Sequence, residues 1–305
     1  MERYIPYSER PEWADVVPIP QDDGPNPLVP IAYSQEYQDA MNYFRAIAKT
    51  DECSERALRL TTDIISMNPA HYTIWQYRQK ILFTLNKDMD AELDLIESMV
   101  ECNPKCYQLW HHRQVIVEKL GDASRELDFI EEALIQEPKN YHAWSYRQWV
   151  IRKFNLWDKE LEFIEDLLLE DVRNNSAWNQ RFFVVFEGPV EATPDVIKEE
   201  INYAMDKILL APNNASPWNY IKGLLNKTTE FRDVVENFCK TQLETEPNKH
   251  ALACLVEIYE EEAQRGSKER VQEAIEYCTQ LASKHDKIRK AYWTYRKEQL
   301  ETTAA

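Results

Sequence analysis

Glycine is scarce in this chain, with only five glycines among 305 residues. The glycine-rich loops that cradle phosphates, GxGxxG and GxxxxGK followed by Ser or Thr, are both absent, and so are the GxSxG and HExxH motifs. These absences argue against a self-sufficient nucleotide site, an esterase-type nucleophile and a zinc-protease site.

Paired cysteines are also absent. The six cysteines form no CxxC pair, and the two closest, Cys102 and Cys106, have no histidine at zinc-ligand spacing. This pattern is typical of reduced thiols. We therefore expect a cytoplasmic protein that holds no metal of its own.

Positive charge and long apolar runs are both in short supply. Lys and Arg number 36 against 53 Asp and Glu, and the resulting net charge of -17 argues against nucleic-acid binding. No stretch approaches ~18 consecutive apolar residues, so we expect no membrane insertion. The first ten residues, MERYIPYSER, lack the apolar run of a signal peptide.

Proline, by contrast, is concentrated at the start of the chain, where seven of the fifteen prolines fall within the first thirty residues. Because proline fixes φ and has no amide hydrogen, we predict an extended arm over residues 1–33 that lies against a surface. Ser34 and Ser54 are then expected to be the N-caps of helices that end near Lys49 and Met67. We predict a single helical repeat domain over residues 34–305.

A tryptophan returns about every 34 residues. Trp75, Trp110, Trp144 and Trp178 are 35, 34 and 34 residues apart, and Trp218 follows after 40. A proline lies six residues before each of them except Trp178. Arginine follows the first four by three residues, as Arg78, Arg113, Arg147 and Arg181. This period, with two apolar-faced helices in each repeat, predicts an all-α solenoid of helical hairpins that is tetratricopeptide-like in its period.

The repeated residues have a structural interpretation. Asn-Pro pairs such as Asn103-Pro104 are interpreted as the N-cap and first residue of a helix. The tryptophans are interpreted as packing residues, since each buries a large area whatever the ligand. The arginines are expected to tie neighbouring hairpins together through carboxylates such as Glu131, Glu132 or Glu165.

Basic residues occur five positions before the tryptophan in only three repeats, as Lys105, Lys139 and Arg173. A cation in the first turn of a helix opposes the helix dipole, at a cost of ~0.3–1 kcal/mol, and an anion bound there would offset that cost. Stacked repeats would align the three along one edge. The alternative is a set of solvated side chains near turns. We define the rim as these three residues together with Tyr107, Gln108, Asn140, Tyr141 and His142.

The units NPKCYQLWHHR and EPKNYHAWSYR resemble the repeats of the protein prenyltransferase α subunits. EWADVVPIPQDDGPNPLVPIAYS and EDVRNNSAWNQR extend the resemblance to the branch shared by protein farnesyltransferase and type I geranylgeranyltransferase. The resemblance implies a right-handed superhelical crescent that wraps a catalytic β subunit. It further implies transfer of farnesyl or geranylgeranyl from the isoprenoid diphosphate to the cysteine thiol of C-terminal CaaX proteins, such as Ras-like small GTPases.

The same resemblance implies roles for the rim. Lys105 matches a lysine that approaches the diphosphate, which makes it the predicted catalytic residue, and Tyr107 matches its neighbour. Gln108 matches a glutamine that binds the carboxylate of the acceptor peptide. Three residues match a run near the isoprenoid diphosphate: Asn140, Tyr141 and His142. Cys106 departs from the family pattern, which has asparagine at that position.

The resemblance places zinc in the β subunit and magnesium with the diphosphate, so this chain alone is expected to be inactive. Two alternatives remain open. One is the α subunit of the Rab-type geranylgeranyltransferase, whose members often carry extra domains that are not seen here. The other is a non-catalytic helical-repeat adaptor, although the repeats lack the LG and the periodic alanines of tetratricopeptide units.

Overall fold

A computed structural model describes residues 4–266 and 269–304, and this part of the chain contains helices and no strand. The predicted all-α class is therefore confirmed. The α-helices are α1 (Gln35–Lys49), α2 (Glu55–Met67), α3 (Tyr72–Thr84), α4 (Met89–Cys102), α5 (Tyr107–Leu120), α6 (Glu126–Gln136), α7 (Tyr141–Phe154), α8 (Glu160–Glu170), α9 (Asn175–Glu187), α10 (Pro194–Leu210), α11 (Ala215–Leu225), α12 (Arg232–Thr245), α13 (Lys249–Gln264), α14 (Val271–Gln280) and α15 (Lys290–Ala304).

Two compact units make up the chain. The first, Met1–Asn155, contains α1 to α7, and the second, Leu156–Ala305, contains α8 to α15. A π-helical turn, Leu281–His285, and a 3₁₀ turn, Lys287–Arg289, lie between α14 and α15. No helix in residues 4–266 or 269–304 is long and apolar enough to cross a membrane.

The first part of the N-terminal arm packs against the first two helices, as predicted for the whole arm, whereas residues 20–32 are exposed. Tyr7 and Trp13 are buried and form edge-on ring contacts with each other, and Trp13 packs in the same way on Tyr43 of α1. The Tyr7 hydroxyl donates to Asp63 of α2 over 2.5 Å. The prediction of a wholly extended arm was wrong in one detail, because Tyr7–Glu9 and Pro11–Trp13 form short 3₁₀ helices.

The sequence offered two signals for the start of a helix, a capping serine and an Asn-Pro pair. The serine signals were correct, because Ser34 and Ser54 cap α1 and α2 by accepting from Tyr37 N and Ala57 N, both at 3.2 Å. The Asn-Pro signal was wrong, because Asn103 is the C-cap of α4 and α5 begins only at Tyr107. A residue before proline is disfavoured in the α region, so these pairs end a helix.

The Asn-Pro turn creates the hydrogen bond that explains the spacing of proline and tryptophan. In each repeat the buried indole donates from Nε1 to the carbonyl oxygen of the residue six positions earlier. The bonds are Trp75 to Pro69 (2.7 Å), Trp110 to Pro104 (2.9 Å), Trp144 to Pro138 (2.9 Å), Trp178 to Val172 (2.9 Å) and Trp218 to Pro212 (3.0 Å). Val172 can replace the proline at this position because the indole binds only the backbone carbonyl oxygen, which every residue has.

Three of the four arginines that follow a tryptophan by three residues each form a buried ion pair. The carboxylate comes from the first half of the next helix: Arg78 pairs with Glu92, Arg113 with Glu126 and Arg181 with Glu200, each by two hydrogen bonds of 2.6–2.9 Å. Glu131 and Glu132 are exposed, and the pairing expected for them stays a prediction. Glu165 lies 3.8 Å from Arg181 as a secondary partner.

A third side chain, from the following repeat, completes each buried ion pair. It stands two residues after the next tryptophan. His112 contacts Glu92 at 2.7 Å, and the hydroxyls of Tyr146 and Tyr220 donate to Glu126 and Glu200, both at 2.6 Å. We call these buried arginine, carboxylate and donor groups the interior layer. They link successive repeats because burying a charge requires nearly complete hydrogen bonding.

Candidate functional site

The rim residues of the first unit come from two neighbouring turns, the one before α5 and the one before α7. Lys105 lies in the turn that precedes α5, two residues before the first helical residue, Tyr107. The prediction that Lys105 occupies the first turn of a helix was therefore wrong. Lys105 therefore lies just before the N-cap of α5, Cys106, and is not itself a helical residue.

Lys105 is exposed and has one acidic neighbour. Its side chain is 74% exposed, and Nζ lies 2.9 Å from Oε1 of Glu137, in the turn before α7. Oε2 of the same carboxylate accepts from Asn140 Nδ2 over 3.3 Å. Exposed ion pairs contribute only ~0–1 kcal/mol, so an incoming anion can displace Glu137 at little cost.

Sequence reasoning missed Glu137, although a signal was present. The two preceding repeats have asparagine before the proline, Asn68 and Asn103, whereas this repeat has glutamate. That acidic residue stands two positions before Lys139, and the structure brings it to Lys105 of the previous repeat.

The aromatic part of the rim is built from both turns. Tyr107 and Tyr141 are the first residues of α5 and α7, and their side chains are 66% and 69% exposed. The Tyr107 ring contacts the His142 ring edge-on with centroids 4.2 Å apart, and His142 also contacts Tyr141 at 5.6 Å. Tyr107, Tyr141 and His142 thus come together.

Burial favours the neutral form of the His142 ring. Burial lowers the pKa of its ring below the ordinary value, and this effect exceeds the opposing influence of the Glu137 charge and of a hydrogen bond with the backbone of Lys105. The ring therefore contributes hydrogen-bonding nitrogens and an aromatic surface to the rim, without a positive charge.

Asn140 is buried and its amide group is fully engaged. Oδ1 accepts from the backbone of His142 at 2.9 Å and Ala143 at 3.2 Å, so it caps α7, and Nδ2 donates to the carbonyl of Pro104 at 3.1 Å. In the second unit, Asn214 and Asn248 make the same bond to the preceding repeat, at 2.8 Å each. By these bonds, Asn140 orients the turn that carries Tyr141 and His142.

Cys106 occupies the position that corresponds to Asn140, and it fills that position less well. It is the N-cap of α5 but provides no side-chain cap. Its thiol lies 3.3 Å from the carbonyl of Pro69 and 3.4 Å from Oε1 of Gln108. Gln108 is half-buried beside it, within the first turn of α5.

The remaining two rim residues occupy equivalent turns. Lys139 is exposed in the turn before α7, within the first unit. Arg173 is exposed in the turn before α9, in the second unit, where its backbone donates to Asp171 Oδ1 at 2.9 Å. The predicted alignment of Arg173 with Lys105 along one edge of the stacked repeats stays a prediction.

A metal site is not evident in the described ranges. Residues 4–266 and 269–304 contain no group of three or more His, Cys, Asp or Glu side chains that could hold an ion. Zinc, which the resemblance implies for the enzyme, therefore does not fit the donors that this part of the chain provides.

Comparison with protein families identifies the repeat. The model of the protein prenyltransferase alpha subunit repeat matches five segments, residues 54–85, 89–120, 123–154, 157–187 and 197–228. Each segment joins the second helix of one hairpin to the first helix of the next, so the Asn-Pro type of turn lies in its middle. The chain belongs to the protein prenyltransferase α-subunit family.

Relatives within the family specify the branch. The farnesyltransferase/geranylgeranyltransferase type-1 subunit alpha of Dictyostelium discoideum is 40% identical over 96% of this chain and 94% of its own length. The subunit of the same name from Schizosaccharomyces pombe is 55% identical over 71% of this chain and 74% of its own length. The geranylgeranyl transferase type-2 subunit alpha of S. pombe aligns with only 16% of this chain. The predicted family and branch are thus confirmed over the Rab-type alternative.

A solved structure shows the same fold. A chain of Candida albicans protein geranylgeranyltransferase-I complexed with GGPP superposes with a TM-score of 0.85 and 35% sequence identity. The match covers 94% of this chain and 98% of that one. This likeness and the family relatives confirm the prediction that the chain is a prenyltransferase subunit. They do not support the alternative of a non-catalytic adaptor.

Proposed function

We propose that this protein is the α subunit of a heterodimeric CaaX prenyltransferase that pairs with the β subunit of farnesyltransferase, of type I geranylgeranyltransferase, or of both. It would then take part in moving farnesyl or geranylgeranyl from the diphosphate to the cysteine of CaaX proteins. One observation carries this proposal. An exposed lysine with a displaceable partner stands beside aromatic and amide side chains from two adjacent turns.

In this proposal, Lys105 stabilises the leaving diphosphate. As the thiolate attacks C1 of the isoprenoid, the carbon–oxygen bond to the diphosphate breaks and negative charge builds on the departing group. A positioned ammonium favours that state over the ground state, which is the requirement for catalysis. Glu137 holds Lys105 near the turn until the diphosphate replaces the carboxylate.

The neighbouring side chains have supporting roles in the proposal. The exposed hydroxyls of Tyr107 and Tyr141 are available to diphosphate oxygens, and neutral His142 keeps the Tyr107 ring in place through the 4.2 Å contact. Gln108 would bind the peptide carboxylate. Asn140, predicted to bind substrate, is better described as a positioning residue because its amide bonds are already made.

The remaining predictions belong to the same proposal. The partner subunit would hold the zinc, magnesium would accompany the diphosphate in farnesyl transfer, and the complex would act in the cytoplasm on CaaX C-termini such as those of Ras-like GTPases. Lys139 and Arg173 would extend the anion rim. The boundary at residue 34, between the arm and a repeat domain to residue 305, also stays a prediction.

The deciding experiment is coexpression of the chain with a farnesyltransferase-type or type I geranylgeranyltransferase-type β subunit. We expect copurification, prenyl transfer to a CaaX peptide, and about one zinc ion per complex, with neither activity nor zinc in the chain alone. A matched preparation with the β subunit alone controls for its intrinsic activity. Failure to copurify with either β subunit would overturn the proposal.

A further inference from the structure

The C-terminal segment of the second unit is basic although the protein is acidic. From Lys284 to Lys297 there are six lysines and arginines and a single carboxylate, Asp286, in a chain whose net charge is -17. The segment covers the end of the π-helical turn, the 3₁₀ turn and the first half of α15. Such a local reversal of charge calls for a physical reason.

A groove lies in this segment. Its volume is about 440 Å³, which is within the range of small-ligand sites. Lys287, Lys290 and Lys297 line it, together with the hydroxyl-bearing Ser283 and Thr294. The groove thus combines three ammonium groups with hydrogen-bonding hydroxyls.

Most of the other cations of the segment are neutralised, but two of the lining lysines are not. Arg289 pairs with Asp286 at 2.6 Å, Arg296 contacts Glu260, and Lys297 lies 3.5 Å from Glu301. Lys287 and Lys290 are exposed and have no carboxylate at ion-pair distance in the described part of the chain.

The local acidic residue cannot balance these lysines. Asp286 is largely buried, and its Oδ2 already accepts from Trp293 Nε1 at 2.7 Å and from Arg289 Nε at 2.6 Å. The first turn of α15, which begins at Lys290, contains no acidic residue. Like charges therefore converge at the groove, and a bound anion would relieve their repulsion.

We propose that this groove binds a small polyanion that carries several phosphate groups. Lys287 and Lys290 contact the phosphates as point charges, which is the usual way in which lysine binds phosphate. Lys297 and the Thr294 hydroxyl provide further donors on the same wall. The residues that line the groove include none of the rim residues.

Titration calorimetry of the full chain with inorganic tripolyphosphate tests the site. We expect binding at about 0.01 M salt that weakens at about 0.1 M, where screening shortens the reach of charges from ~30 to ~10 Å. The double variant Lys287→Ser/Lys290→Ser should weaken binding by about tenfold or more. Unchanged affinity in this variant would overturn the proposal.

Two further variants make the titration specific. Lys49→Ser/Lys198→Ser removes the same charge from exposed lysines elsewhere and should leave the affinity within about twofold of the unsubstituted chain. The triple variant Lys105→Ala/Lys139→Ala/Arg173→Ala removes the three cations of the rim, so the binding event retained in that variant belongs to the groove. An equal loss in the Lys49/Lys198 control would show that only net charge matters, and it would refute the site.

A second arm distinguishes a soluble phosphate compound from a lipid headgroup. Ile288, beside the groove, is fully exposed, so cosedimentation with phosphatidylcholine vesicles that contain phosphatidylserine is measured for the same variants. Vesicle binding that needs Lys287 and Lys290, without tripolyphosphate binding, would identify the lipid as the phosphate source. Absence of both kinds of binding would refute a phosphate site.

Discussion

The interior layer and the rim are built from the same short stretches of sequence, yet they behave in opposite ways. Arg113 is fully buried with its carboxylate and hydroxyl partners, whereas Lys105, eight residues earlier, is 74% exposed and pairs with the partly exposed Glu137. The interior pattern returns along the solenoid, while the basic residue appears in three repeats only. Recurrent buried residues support the fold. The exposed residues that break the repeat are those that we propose for the site.

Removal of Arg113 should have the largest effect. Arg113→Met leaves Glu126 buried without its cation, and we expect the free energy of unfolding to fall by ~3–5 kcal/mol. Urea unfolding at neutral pH measures the loss. Lys105→Met, the same substitution at the rim, should change the free energy by less than ~0.5 kcal/mol. Similar losses in the two variants would erase the distinction between interior layer and rim.

For activity we expect the opposite order, with the larger effect at the rim residue Lys105. In the complex with a β subunit, Lys105→Ala should lower the single-turnover rate of prenyl transfer by about 10²-fold, while isoprenoid affinity changes much less. Lys119→Ala, at the opposite end of α5, is the matched control and should keep the full rate. Equal losses of rate and affinity in Lys105→Ala would contradict the electrostatic role of the lysine.

A smaller effect, on the pH dependence of stability, is expected from His112. Among the interior-layer donors named above, namely His112, Tyr146 and Tyr220, it is the one that becomes positively charged when it binds a proton. Burial lowers the pKa of His112, and the side-chain amide nitrogen Nε2 of Gln79 lies 3.1 Å from Nδ1 of the ring, a contact that suits the neutral imidazole. The unfolded chain therefore binds more protons below pH ~6.5, and stability falls as the pH drops through that region.

The variant His112→Gln tests this pH dependence. Gln180 occupies the equivalent position in the second unit and donates to Glu160 at 2.8 Å, so glutamine can replace the histidine as a donor. We expect a shallower fall in the free energy of unfolding between about pH 7 and 5. The pKa values of His71, His142 and His250 are also lowered, so part of the slope should remain. An unchanged slope would show that His112 contributes nothing to it.

The smallest effect concerns the cap of α5. Cys106→Asn should supply the side-chain cap that Asn140 gives α7 and a bond to the Pro69 carbonyl, raising the free energy of unfolding by ~0.5–1 kcal/mol. Thermal unfolding of the two proteins measures the gain, and Cys106→Ser, a shorter capping residue that cannot reach as far, is the control. A lower melting temperature in Cys106→Asn would show that the cysteine is the better fit.

Much of the fold could be predicted from local sequence. Ser34 and Ser54 cap their helices because a serine oxygen reaches an amide three residues ahead. The recurrence of tryptophan predicted the solenoid because each hairpin has two apolar faces to bury. The start of α5 was misjudged, because Asn103-Pro104 suits both a helix start and a helix end, and local sequence alone does not decide between them.

By itself, the sequence determined the helical period, the capping serines and the family, and it predicted the rim residues. Only the tertiary structure decided which carboxylate neutralises each buried arginine, that Glu137 faces Lys105, and that Asn140 orients a turn. These partners lie 13 to 36 residues apart along the chain. Periodicity and propensity report on neighbours within a few residues, whereas a buried charge selects its partner from whatever side chains the packed repeats bring within hydrogen-bonding distance.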